Sequence, residues 1–545
     1  MADNEHPFGA DGAADRAAGF GAADGVDGVE GAADGAEFGA ADDTDGVDLD
    51  QELAALDHGD VEVDEHGLRL NLGLPDEDLN PPAPLQATPE ELSALAAVEA
   101  ELDTRWPETK IDPSLERIEY LLDLLGNPQE NFHVIHVAGT NGKSSTVRMI
   151  DSLVRGFHRR TGMFTSPHLQ TVTERICIDG NPIPARDYVR QWEEIEPFVQ
   201  MTDAHFDVRL SKFEILTAMA YAAFADAPVE VAVVEVGLGG TWDSTNVVNP
   251  EVSVVMPVGL DHQNYLGETI EEIAAEKAGI IKKRDDLDDV LKPAENIAII
   301  GEQDPKAMEV ILRRAVEVDA GVARYGSEFG VLETAVAVGG QQLHLRGLGG
   351  EYPEIFIPLS GSHMAANASC ALAAVEAFFG ARAGHGLDLD TVREGFRTVT
   401  VPGRLERVRT SPTTFIDVAH NPHGATALGA ALSRDFNFQR LIGVLAVFDD
   451  KDAKGVLLAL EPHLDEVVIS QNSSPRALDA YTLADYATEI FGEERVHTID
   501  DLPGAYALAV ELAEDAEVQS GSGIVITGSV VTAGEARTLF GKEPS

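Results

Sequence analysis

Gly139-Thr140-Asn141-Gly142-Lys143-Ser144 holds the residue types and spacing best suited to chemistry in this chain. A β-branched run, Val134-Ile135-His136-Val137, precedes it, and Ser145-Thr146-Val147-Arg148-Met149-Ile150 reads as the start of a helix. A strand, a glycine turn, a lysine and a hydroxyl at a helix start make a cradle for phosphate. The backbone N–H groups and the helix dipole attract anionic oxygens. The lysine adds a mobile positive charge, and the Ser144 hydroxyl can ligate Mg²⁺. The spacing is G-x-x-G-K-S/T, shorter than the common phosphate-loop form, and it narrows the field. A ligand-free glycine turn is the bland alternative; nucleotide phosphate binding is the stronger reading.

Six further residues carry chemistry with different weight. Glu235 ends a strongly apolar strand and runs into Gly237-Leu238-Gly239-Gly240. A carboxylate at a strand's C-terminal edge beside a phosphate loop is where an α/β nucleotide enzyme places a Mg²⁺ ligand. His262, in Leu260-Asp261-His262, follows another β-branched strand and reads as a metal or phosphate contact in a loop. Lys277 lies on a helical stretch that starts near Thr269, and the residues alone would leave it as a solvated lysine. Arg404 follows Val401-Pro402-Gly403, and Asp417-Val418-Ala419-His420 runs from a strand into a polar loop. An arginine and an Asp/His pair brought across a cleft could clamp a nucleotide on closure.

These residues need a scaffold. The alternation of strands and helices predicts a doubly wound, mostly parallel α/β sheet, with strands at 229–236 and 252–258. A second, smaller βα series follows, with strands at 414–418, 440–447, 466–470 and 523–527. The reading divides the chain into a tail at 1–85, a nucleotide-binding domain at 86–400, a hinge at 401–403 and a C-terminal domain at 404–545. Order is expected to begin at Thr88-Pro89-Glu90-Glu91, a helix start with acids in its first turn.

The formal charge of −55 over 545 residues is unevenly placed. Roughly −21 of it falls in the first 80 positions, where Gly-Ala-Ala-Asp-Gly variants recur; such a self-repelling segment, poor in large apolar residues, should be disordered. A broad nucleic-acid surface is excluded, because counterion release needs a basic face. Two cysteines, Cys177 and Cys370, cannot build a disulfide framework and fit a reducing cytoplasm. No signal pattern is present, and no apolar run approaches the ~18 residues of a membrane span.

Taken in order, the motifs resemble those of folylpolyglutamate synthases, often bifunctional with dihydrofolate synthase, in the Mur ligase superfamily. They are His136 to Ser144; Thr165-Ser166-Pro167-His168-Leu169 with Glu174-Arg175; Glu235 to Gly240; Leu260-Asp261-His262; Glu276-Lys277-Ala278-Gly279-Ile280; Pro402-Gly403-Arg404-Leu405-Glu406; and Ala419 to Gly424. The resemblance spans about residues 90 to 540. It implies an N-terminal P-loop ATPase domain of Mur-ligase type, a smaller Rossmann-like C-terminal domain, and ATP between them.

By the same resemblance, Gly139, Thr140, Asn141, Gly142, Lys143, Ser144 and Ser145 hold the phosphates, with Asn367 toward the adenine, Arg404 at the phosphates and Asp417 at the ribose. Ser144 ligands one Mg²⁺; Ser166, Glu235 and His262 hold a second. Lys277 matches a lysine that is carbamylated, and some members use K⁺. Ser166, Pro167, His168, Asp243, Ser244 and His420 fall on the substrate side, with His420 at the reacting end. Three positions depart from the family pattern: Thr241 for a usual arginine, Met364 for a usual glutamine, and Val418 for a usual glycine.

The implied reaction is ATP-driven ligation of L-glutamate to tetrahydrofolate, and to dihydropteroate, through an acyl phosphate. Lys143, Arg404, Lys277, His262 and His420 would form its catalytic machinery, in a cytoplasmic monomer that uses neither nucleic acid nor membrane. Two rivals are a cell-wall Mur ligase, disfavoured by the low-complexity N-terminus, and a P-loop switch, disfavoured by the lack of a guanine-reading Asn-Lys-x-Asp box.

Overall fold

The structure is a computed structural model that describes residues 61–64, 67–70, 87–106, 112–283, 296–514 and 521–545. Within the first unit, Met1–Leu85, the described residues are a short antiparallel hairpin, Val61–Asp64 with Gly67–Leu70. The rest of the stretch expected to be a disordered tail lies outside the described residues. The second unit, Gln86–Ser545, carries everything below.

Its first helix, Pro89–Leu102, begins where expected. Thr88 accepts the Glu91 amide and the Glu91 carboxylate accepts the Thr88 amide, a reciprocal cap that satisfies two orphan donors.

An eight-stranded sheet follows, in the order Gly321–Arg324, Ile297–Ile300, Val252–Val255, His133–Ala138, Val231–Glu235, Thr161–Phe164, Ile176–Ile178, Asn181–Pro182. The first six strands are parallel, and the last two run antiparallel at one edge. The central strands are apolar on both faces because helices cover both. Val231 and Val233 enter the core shared with helices Lys143–Gly156 and Ser362–Phe378. Ala232 and Val234 enter the core on the other face, with helices Ala185–His205 and Lys212–Asp226.

A three-stranded antiparallel sheet, Gly330–Ala337, Gly340–Arg346 and Glu351–Ile357, is a feature that the βα rhythm did not announce. Its Leu343, Leu345, Ile355 and Ile357 pack into the same core as helix Ser362–Phe378. The C-terminal sheet has the order Glu406–Thr410, Thr413–Ile416, Ser522–Thr527, Arg440–Leu445, Glu466–Ile469, Val496–Thr498, parallel except for its first pair. Again alternate residues part company: Leu441 and Leu445 face one core, Ile442 and Val444 the other.

Register sets the site. Val137 pairs with Glu235, Ala138 with Val255, and Phe164 with Val234. The loops leaving these four neighbouring strands, at Gly139, Val236, Met256 and Thr165, therefore emerge together at the C-terminal edge of the sheet, where ligands of open α/β sheets bind.

Candidate active site

The phosphate loop is wedged rather than draped. Gly139 and Gly142 have φ of +154° and +85°. A Cβ at Gly139 would stand 2.6 Å from Met256 Cβ, and one at Gly142 2.8 Å from Asn367 Oδ1. Only glycine fits either position without a shift. The loop is tied to its neighbour as well: Gly259 N donates to Thr140 Oγ1 at 3.0 Å, and Thr140 N to Pro257 O at 3.0 Å. Lys143, at the helix start, donates through Nζ to Gly139 O at 3.1 Å and Thr140 O at 3.4 Å. Its charge rests on carbonyl dipoles, and it forms no ion pair with a carboxylate among the described residues.

Ser144 donates to Glu235 Oε1 at 2.9 Å. Glu235 is buried, and its Oε2 has no hydrogen-bond partner. Burial pushes its carboxyl above the usual range, while Lys143, the Ser144 hydroxyl, the Ser166 amide and Arg404 pull it back. An unmatched carboxylate oxygen beside a hydroxyl suits a hard cation completed by phosphate oxygens and water. His262 ends the next loop, at the N-cap of the short helix Gln263–Leu266, with φ +51°. Desolvation and the charges of Lys451, Lys143 and Lys277 lower it to about 4, against the pull of Asp261, so its imidazole is neutral. Among the described residues no three His, Cys, Asp or Glu side chains cluster as a cage. Of the metal donors that the resemblance implies, Ser144 and Glu235 are in direct contact.

Lys277 is buried on helix Ile270–Ala278. Burial first, and then Lys143, lowers its amine to about 7, with Asp261, Asp243 and Glu276 opposing. An amine of that pKa is substantially neutral at physiological pH and hence nucleophilic. The glycine loop lies on this helix: a Cβ at Gly240 would stand 2.5 Å from Glu276 O.

Among the residues that the resemblance assigns to the substrate, His168 accepts Arg175 Nε at 3.0 Å through Nδ1, and burial lowers it to about 3. Ser166-Pro167 is a cis peptide. Asp243 accepts Leu238 N at 2.8 Å and Thr245 N at 3.0 Å, with Ser244 next to it in the turn Ser244–Val247. Ser145 is buried in the first turn of the phosphate-loop helix.

The C-terminal half brings its own groups. Asp417 accepts Leu405 N at 2.9 Å and Ala419 N at 2.8 Å, which fixes the turn around Arg404. His420 donates through Nδ1 to Val418 O at 2.9 Å, which leaves the lone pair on Nε2. Burial lowers it to about 4. Four contacts that the sequence did not assign join the halves. Asn141 donates to His423 Nδ1 at 2.7 Å, and Asn421 donates to Asn141 Oδ1 at 3.4 Å and Asp261 Oδ2 at 3.3 Å. Lys451 reaches Asp261 Oδ1 at 3.4 Å. Asp261, Asn421 and His423 lay inside motifs with no role given to them. Lys451, in Phe448-Asp449-Asp450-Lys451-Asp452, lay outside every motif singled out in the sequence.

The three departures are absorbed locally. The Thr241 hydroxyl donates to Glu276 O at 3.1 Å, Met364 is buried with its sulfur 3.8 Å from Asn367 Nδ2, and Val418 N donates to Gly403 O at 2.9 Å.

This arrangement, a phosphate loop with a strand-end carboxylate faced by a second α/β sheet, coincides with two matches to known families. Residues 137–375 match the Mur ligase middle domain and residues 403–530 the Mur ligase glutamate ligase domain. The chain is 55% identical over 472 residues to the dihydrofolate synthase/folylpolyglutamate synthase of Mycobacterium tuberculosis, covering 84% of this chain and 96% of that one. Among solved structures, the M. tuberculosis folylpolyglutamate synthase complexed with ADP superposes with a TM-score of 0.79, covering 84% of this chain and 100% of the other at 55% identity. Escherichia coli FolC in complex with DHPP and ADP gives 0.70 at 29% identity, covering 83% and 99%. The chain belongs to the dihydrofolate synthase/folylpolyglutamate synthase family of Mur ligases.

Proposed function

We propose that this protein is an ATP-dependent ligase that joins L-glutamate to tetrahydrofolate through a γ-linked amide, and to dihydropteroate as well. The observation that carries this reading is Glu235. Ser144 and the phosphate-loop lysine approach this buried carboxylate from one half, Arg404 acts on it from the other, and one of its oxygens is unpartnered.

In the reaction a folate carboxylate oxygen attacks the γ-phosphorus of ATP, the bond to the β–γ bridging oxygen breaks, and ADP leaves. The amine of glutamate then attacks the acyl phosphate carbonyl, phosphate departs, and the nitrogen gives up a proton. Positioning and charge neutralisation are the protein's main contribution. Lys143 and Arg404 offset the charge of the transferring phosphoryl group. Gly139 to Ser145 seat the phosphates, Asn367 and Asp417 border the nucleoside, and Ser166, Pro167, His168, Asp243 and Ser244 line the folate side. His420 presents a lone pair to the amine. At a pKa of about 4 it is a weak base, which suits an acceptor that orients the amine better than one that strips its proton.

Ser144 would hold one Mg²⁺, and Ser166, Glu235 and His262 a second; when bound, these ions supply Lewis acidity toward phosphate and acyl oxygens. K⁺ is a further candidate ion. The buried Lys277 amine suits carbamylation: its nitrogen bonds to the carbon of CO₂ and releases a proton, leaving an anion beside the metal region. The domains divide at 401–403, into 86–400 and 404–545. We assign the protein to the cytoplasm as a monomer; among the described residues no helix is long and apolar enough to cross a membrane.

The test is incubation with ATP, Mg²⁺, glutamate and either tetrahydrofolate or dihydropteroate. ADP should appear in step with glutamylated product. ADP without product, or product formation undiminished by exhaustive EDTA treatment, would contradict the proposal.

A further inference from the structure

His136 lies on the strand that feeds the phosphate loop, yet its side chain serves a different element. It is fully buried, and its Nε2 lies 2.9 Å from the Thr245 hydroxyl. That hydroxyl lies 2.5 Å from Asp243 Oδ1. Asp243 already accepts two backbone amides, Thr245 N on Oδ1 and Leu238 N on Oδ2. An acceptor-only carboxylate requires the Thr245 hydroxyl to donate to it, so the hydroxyl oxygen must accept from His136. The chain therefore has one direction: His136 Nε2–H to Thr245, and Thr245 O–H to Asp243. The tautomer follows, since Nδ1 is then a bare lone pair, and it is a buried atom without a partner. The Thr245 backbone is pinned too, because the buried Tyr221 hydroxyl donates to its carbonyl at 3.0 Å.

Asp243 sits under the start of the glycine loop. A Cβ at Gly237 would stand 2.5 Å from Phe213 Cζ and 3.2 Å from Asp243 Oδ2. Loop, carboxylate and aromatic ring thus form one packed wall. We infer that His136 and Thr245 are positioning residues that aim Asp243 and hold the Gly237–Leu238 turn against the folate, so that a residue of the nucleotide-binding strand governs the second substrate. This rests on the proposed folate contact of Asp243 and Ser244.

The test is steady-state ligation by the full chain, with tetrahydrofolate and ATP varied in turn. Thr245→Val keeps the shape and removes the hydroxyl. It should raise the tetrahydrofolate KM about tenfold, the scale of a lost hydrogen bond to a charged group, and leave the ATP KM unchanged. Thr245→Ser should restore the parent value. His136→Gln, which keeps an N–H near the Nε2 position, should stay near the parent. His136→Leu should match Thr245→Val, and the two losses should not add when combined. An unchanged tetrahydrofolate KM, or equal rises for both substrates, would overturn the inference. Should Thr245→Val fail to fold, the contrast of His136→Leu with His136→Gln decides by the same split. Asp243→Asn separates the two ideas: no change there removes the folate contact itself, whereas a raised KM there beside an unchanged Thr245→Val removes only the relay.

Discussion

The two sheet edges that face each other across the site are built on opposite plans. On the N-terminal edge the functional groups lean on one another: Lys143 rests on the carbonyls of its own loop, and Ser144 on Glu235. The loop beneath them is wedged between Met256 and Asn367. On the C-terminal edge the polar groups hold their own backbone. Asp417 caps Leu405 and Ala419, and His420 is anchored to Val418. Arg404 has no hydrogen bond among the described residues. The phosphate loop is therefore built within one sheet, while contacts such as Asn141 with His423 and Asp261 with Lys451 tie that sheet to the other half.

The sharpest way to break this contrast is Lys143→Ala. Loss of the phosphate-loop charge should lower kcat/KM about 10²- to 10³-fold, the scale of losing a key electrostatic donor, with an unchanged thermal midpoint. An unchanged rate would erase the distinction between the edges.

Next comes Gly142→Ala. A methyl placed 2.8 Å from Asn367 Oδ1 at φ +85° should destabilise the protein, by about 1–2 kcal/mol for the backbone alone. ATP binding, followed by calorimetry, should weaken in parallel. Adding Asn367→Ala should recover the steric part only.

The joining contacts should matter less. In a double-mutant cycle, Asp261→Asn and Lys451→Met should couple by about 1 kcal/mol in kcat, with little effect on ATP affinity. Full additivity would mean that the pair is incidental.

A pH slope is shared by both edges. His136 and His168 are held to about 3, and His363 and His420 to about 4, each mainly by burial. In the unfolded chain they take up protons near 6.5. Their contribution is complete above that pH and is lost as pH falls through the folded values, because the unfolded state binds more protons. Thermal melts should drop steadily from pH 6.5 toward 4, and a flat profile would refute the assignment.

The two edges also differed in how far the sequence disclosed them. The phosphate loop was legible because glycine, lysine and serine at a strand–helix turn do one thing well. Strand positions were legible from their apolar runs, although Val229–Val236 shortened to Val231–Glu235 and Val252–Val258 to Val252–Val255. The loss falls at the ends, where the chain leaves the ladder for the site. The antiparallel sheet at Gly330–Ile357 escaped notice because its first strand is exposed along most of its length, which blurs the apolar alternation, and its pairing is local. Lys277 could be chosen only by resemblance, since nothing in its neighbours tells a buried amine from a solvated one. Lys451 escaped for a different reason: its partner, Asp261, lies 190 residues away, and no local spacing encodes such a pairing.

The two wedged glycines of the phosphate loop bear on how the protein could be inhibited. A compound whose contacts are with the backbone from Gly139 to Gly142 meets a surface with almost no room for escape. Any side chain added at either glycine displaces Met256 or Asn367 before it displaces the compound, so resistance by substitution there would cost the protein its own grip on phosphate.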